Sequence, residues 1–75
     1  MNILVIKLGA IGDVIRTTTI LPGLKEKYKN CEIDWVTKKE SFDILKDNKL
    51  INNIYLIDKN TKNELKKREY NLIIS

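Results

Sequence analysis

Histidine is absent from this sequence, and cysteine occurs once, at Cys31. A disulfide within the chain is therefore excluded, and so is a Cys/His zinc site. The lone cysteine fits a reducing compartment. Long apolar runs are missing too. Ile3 to Ile6 is far short of the ~18 residues that a membrane span needs. It has no basic stretch ahead of it, so it does not read as a secretory signal. The expected location is cytoplasmic. Proline occurs once, at Pro22, and glycine three times, so each marks a particular position rather than a flexible composition.

What is present is a short, mixed, lysine-rich chain. Its 75 residues allow at most one small domain, with 43% hydrophobic and 32% charged residues. That balance argues against disorder. The formal charge is +4, from 14 basic and 10 acidic residues. Such an excess can attract phosphate, nucleic acid or an anionic membrane face. Here the lysines do not cluster, and aromatics do not interleave with them. The pattern is that of solvated surface, and no nucleic-acid partner is expected.

The period of the apolar residues alternates along the chain. Ile3-Leu4-Val5-Ile6 is a continuous β-branched run, the mark of a strand buried on both faces. Gly9-Ala10-Ile11-Gly12-Asp13 then reads as a tight turn. Val14, Thr18, Leu21, Leu24 and Tyr28 recur at helical spacing, with Asp13 at the expected N-cap. Pro22 predicts a kink near Thr18 to Pro22, or two short helices in series. Glu32 to Val36 is a second strand with Ile33 and Trp35 on one face, and Trp35 reads as core. Ser41 is the expected cap of a short helix carrying Phe42, Ile44 and Leu45. Asn53 to Ile57 is a third strand. Thr61 and Glu64 have capping-box spacing for a helix through about Arg68. Asn71 to Ile74 begins a fourth strand.

Strands alternating with helices predict an α/β fold, a Rossmann-like open parallel sheet of order 3-2-1-4. The fourth strand has no helix after it, so residues 1–75 read as a truncated domain. An exposed sheet edge would favour self-association.

In such sheets, ligands sit at the carboxyl ends of the strands. Gly9 and Gly12 there would let a ligand approach the backbone closely. The helix that follows offers free N–H groups and a partial positive charge. The Gly-x-x-Gly-Asp spacing is neither a dinucleotide fingerprint nor a Walker loop. Thr37-Lys38-Lys39 after the second strand supplies no carboxylate for an adenosine ribose. Asp13 has two compatible readings. One oxygen can cap the helix while the other takes a proton from an attacking hydroxyl. Arg16, Thr17 and Thr18 are candidates for the cleft wall, as is Lys7 beside the turn. All of these also suit an exposed helix or strand end.

The segment Ile3 to Val14, with its Gly-Asp-Val ending, resembles the opening of the lipopolysaccharide heptosyltransferases, glycosyltransferase family 9. Thr17-Thr18, Leu24-Lys25-Glu26-Lys27-Tyr28, Glu32 to Val36, Leu45 to Ile57 and Asn71 to Ile74 are similar to family segments in the same order. Thr19 and Lys49 stand where the family often has proline. The resemblance implies the N-terminal, acceptor-side part of a two-domain GT-B enzyme, inactive alone. The full enzyme would transfer a sugar with inversion to a glycan or glycolipid acceptor. It implies Asp13 as base, an acceptor cleft formed by Gly9, Ala10, Ile11, Gly12, Arg16, Thr17 and Thr18, and no metal. The nucleotide-sugar donor, with ADP-heptose a candidate, would be held by a C-terminal domain that lies outside this chain. Peripheral association with the inner face of the cytoplasmic membrane is a further implication. The alternative is a stand-alone, non-catalytic module that binds a phosphorylated ligand at the Gly9–Asp13 turn.

Overall fold

The computed structural model describes residues 1–75. Four strands, β1 (Asn2–Ile6), β2 (Glu32–Thr37), β3 (Asn53–Leu56) and β4 (Leu72–Ile74), form one sheet in the order β3-β2-β1-β4. Every neighbouring pair is parallel. The connections are helical: α1 (Ile11–Thr18), α2 (Leu21–Lys27), α3 (Phe42–Leu45) after a single 3-10 turn at Lys39–Ser41, and α4 (Thr61–Lys66). No helix is long and apolar enough to cross a membrane.

The sheet alternation sorts the side chains. Ile3 and Val5 of β1 and Ile33 and Trp35 of β2 point to one face. They form a single cluster with Val14 of α1, Leu21 of α2, Leu45 of α3 and Cys31. All of these are fully or almost fully buried, so this face holds the main core. Trp35 belongs to it, with its indole N–H left without a partner. Leu4, Asp34, Asn53, Tyr55 and Ile73 alternate onto the opposite face, over which α4 lies.

Pro22 divides the first helical stretch, as its ring requires. The break falls at Thr19 and Ile20, and Pro22 opens the first turn of α2, where a missing N–H costs nothing. Val14 and Leu21 are buried and Thr18, Leu24 and Tyr28 half-buried, so the helical spacing identified the inward face. Asn30, at φ 66°, takes the left-handed conformation that turns the chain from α2 into β2.

The expected helix starts need correction. Asp13 is not the N-cap of α1. The helix opens three residues earlier: Ala10 is the N-cap, and its carbonyl accepts the N–H groups of Asp13 (3.0 Å) and Val14 (3.1 Å). Ser41 stands at the N-cap of α3, but its side chain makes no cap bond. The 3-10 turn feeds straight into the helix and already ties the Ser41 N–H to the Lys38 carbonyl (3.0 Å). No capping box forms at Thr61 either. The side chain that opens α4 is Asp58, whose Oδ1 accepts the N–H groups of Asn60 (2.7 Å) and Thr61 (2.9 Å). The Thr61 hydroxyl instead donates back to the Leu56 carbonyl (2.6 Å), pinning the helix to the end of β3. α4 ends at Lys66 rather than near Arg68, because Arg68 is drawn to a buried carboxylate.

Candidate functional site

The connection from β1 to α1 lies at the carboxyl end of an interior strand. The Lys7 N–H donates to the Val36 carbonyl (3.1 Å), extending the β1–β2 ladder up to the rim. The chain then leaves the sheet through Leu8, Gly9 and Ala10 into α1. Neither Gly9 nor Gly12 has a positive φ. A methyl group at Gly9 would stand 3.5 Å from Asp13 Oδ2, an ordinary contact, and one at Gly12 would meet nothing within 4 Å. Backbone strain and internal packing therefore do not require glycine at either place. The space over Gly12 is open.

Gly9, Ala10, Ile11 and Gly12 are all exposed, and they form the lip of this opening. Asp13 occupies the third position of α1. Its side chain is 60% exposed, and the only cation near it is Arg16, at 3.8 Å. Arg16 is more exposed still, so the pair is a loose surface contact worth little to stability. Thr17 and Thr18 follow on α1, but their hydroxyls donate to their own helix, to Asp13 O (2.8 Å) and Ile15 O (2.6 Å). Each keeps only lone pairs for a ligand. Asp13 is thus the one carboxylate at the lip, and no hydrogen bond ties it to the fold. No cluster of metal-ligating side chains accompanies it.

A second polar constellation went unseen in the sequence. On the α4 face, Asp34 is almost fully buried. Its Oδ2 accepts the Tyr70 hydroxyl (2.6 Å) and pairs with Arg68 (3.0 Å), and its Oδ1 accepts the Asn53 amide (2.9 Å). Arg68 also donates to the Tyr55 hydroxyl (3.2 Å) and reaches Glu32 at 3.4 Å. Burial and the bond to Asp34 raise the pKa of the Tyr70 phenol well above the usual tyrosine value. The Tyr55 hydroxyl and Asp34 likewise hold Arg68 protonated. The network joins β2, β3 and the α4–β4 connection, and every group in it has a partner. That makes it structural. Its signal was a carboxylate inside a strand buried on both faces. The partners, up to 36 positions away, gave none.

The comparisons bear on this geometry. No family model matches the chain. Lipopolysaccharide heptosyltransferase 1 of Campylobacter coli is 30% identical over 83 aligned positions, which cover 99% of this chain and 24% of that protein. Among solved structures, the E. coli heptosyltransferase WaaC with ADP superposes with a TM-score of 0.87 at 19% identity, over 97% of this chain and 26% of that one. The chain spans about a quarter of the length of the relatives it matches. At that identity the structural match establishes the fold, a Rossmann-like portion of a GT-B fold. By sequence and by fold together, this chain resembles a fragment of a lipopolysaccharide heptosyltransferase of glycosyltransferase family 9.

Proposed function

We propose that this chain is the acceptor-side portion of an inverting, nucleotide-sugar-dependent glycosyltransferase of the heptosyltransferase type, and that it is inactive without a donor-binding domain. The observation that carries the reading is the exposed Asp13 carboxylate, free of structural duty, beside the open space over Gly12. An acceptor glycan or glycolipid lies along the lip formed by Gly9 to Gly12, and Arg16, Thr17 and Thr18 flank it. Asp13 takes the proton from the acceptor hydroxyl as its oxygen attacks the anomeric carbon of the donor. The bond from that carbon to the nucleotide diphosphate breaks on the opposite side, so the configuration inverts. The donor, an ADP-linked heptose in this reading, is held by the other domain. That domain must close over the lip to exclude water. Such an enzyme works in the cytoplasm or peripherally at the inner face of the cytoplasmic membrane.

The placement of Asp13 also weighs against a stand-alone phosphate-binding module. A carboxylate in the first turn of α1 opposes an anion approaching the same helix end.

A chimera tests the proposal. This chain replaces the matching quarter of the Campylobacter coli enzyme, and sugar transfer is measured with and without Asp13→Ala. Loss of transfer by about 10²–10⁴-fold with unchanged folding is the expected result for a general base. Turnover within about twofold of the parent chimera would remove Asp13 from the mechanism.

A further inference from the structure

The helix that carries Asp13 is joined loosely to its neighbours at both ends. Ahead of it, the N–H groups of Leu8, Gly9 and Ala10 donate to no backbone carbonyl. Behind it, α1 and α2 part at Thr19 and Ile20, whose N–H groups reach back only three residues, to the Arg16 and Thr17 carbonyls (both 3.2 Å). Pro22 lacks the N–H that would meet the Thr18 carbonyl four residues back. The hydroxyls of Thr17, Thr18 and Thr19 donate to the carbonyls of Asp13 (2.8 Å), Ile15 (2.6 Å) and Arg16 (2.7 Å). Back-bonding of this kind weakens and bends a helix. Both breaks belong to the backbone between β1 and α2, so they do not depend on what lies beyond β4.

The two helices are also anchored unequally. α1 has a single buried side chain, Val14. α2 buries Leu21, and Leu24 and its C-cap Tyr28 pack on the same core. The Lys25 ammonium further ties α2 to the Cys31 carbonyl (2.8 Å) and to the Asn52 side chain (3.2 Å). A tilt of about 10° about Thr19 moves Asp13 by roughly 1.5 Å, at ~1.5 Å of helix per residue. A displacement of about 1 Å is enough to cost a reacting group on the order of 10²-fold in rate. Val14 opposes the tilt, and exposing one valine holds the tilted state to the order of 1% of molecules. We propose that α1 is a pivoting arm, hinged at Leu8–Ala10 and at Thr19–Ile20, that carries Asp13 and the lip between two positions while α2 and the sheet stay fixed. The motion stands on the backbone alone. Its bearing on catalysis rests on the sugar-transfer reading, in which one position sets Asp13 against the acceptor hydroxyl and the other opens the lip.

Relaxation dispersion of the amide nitrogens in the 75-residue chain reads this motion, because it reports exchange on the μs–ms scale. Amides from Asp13 to Thr18 share one exchange rate and one minor population, on the order of 1%. Those from Leu24 to Lys27 show no exchange. Pro22→Ala supplies the missing N–H, makes the two helices continuous and shrinks the minor population by about threefold or more. Pro22 is exposed, so the fold survives the change, as circular dichroism will verify. In the chimera the same variant lowers kcat about tenfold, with KM within about twofold of the parent. Exchange rates that rise gradually toward Ile11 are the mark of fraying and would overturn the pivot. So would dispersion that runs on through α2, or that Pro22→Ala leaves unchanged. An unchanged kcat in the Pro22→Ala chimera would remove the pivot from catalysis. A parent chimera that transfers no sugar, beside concerted exchange in the chain, would instead sink the sugar-transfer reading and leave the pivot standing.

Discussion

Two aspartates in this small chain live under opposite conditions. Asp34 is almost fully buried on the α4 face, with three partners within 3.0 Å. Asp13 stands at the lip of the β1–α1 connection, 60% exposed, with one loose contact. The same functional group thus serves the fold in one place and is left free in the other. A carboxylate saturated with donors cannot accept a proton without unpairing its neighbours. One that is unencumbered and beside open space can. The contrast assigns stability to the network on one face of the sheet, and the proposed proton transfer uses the carboxylate that the fold leaves free at the rim.

The sharpest way to break this contrast is to remove Asp34. Asp34→Ala leaves Tyr70, Arg68 and Asn53 without their shared acceptor, and the expected loss is about 3 kcal/mol in urea unfolding. In a domain this small that is a large share of the total stability. A loss under about 0.5 kcal/mol would mean that the network is decorative. Tyr70→Phe removes one bond to a charged acceptor, so about 1–2 kcal/mol is expected.

The pH dependence sharpens the same point. The folded Tyr70 pKa lies above its unfolded value of about 10. Its contribution is complete below pH ~10 and is lost as pH rises toward the folded value. Tyr70→Phe should flatten the alkaline fall in stability, and an unchanged fall would contradict the assignment. At the acid end, the backbone N–H of Asn60, then the Thr61 side chain, hold Asp58 below the usual carboxylate range. That contribution is present above pH ~4 and fades as pH falls through the folded value. The effect is smaller because Asp58 is exposed, and amide exchange in α4 should report it.

The legible part of the fold was the part written in apolar spacing. The runs at Ile3 to Ile6 and Glu32 to Val36 are interior strands, and the break at Pro22 is real. Alternation of strand and helix was enough to order the sheet. Helix starts were less legible, because several side chains compete for the same N–H groups. Asp58 outcompeted Thr61, and the closure on Ala10 displaced Asp13 from the cap. That displacement matters for the site. It leaves the Asp13 carboxylate without a capping bond. The Asp34 network was illegible because its members meet only through tertiary contact. Sequence spacing cannot show that Arg68 and Tyr70 converge on β2.

The most direct test sets the two aspartates against each other in the chimeric heptosyltransferase. Asp13→Asn and Asp34→Asn are each measured for sugar transfer and for the urea midpoint. The expected outcome is a crossed pattern. Asp13→Asn loses about 10²-fold or more in turnover with an unmoved midpoint, while Asp34→Asn lowers the midpoint and keeps turnover where the protein is folded. Equal loss of both properties in both variants, or full activity in Asp13→Asn, would contradict the division of labour described here.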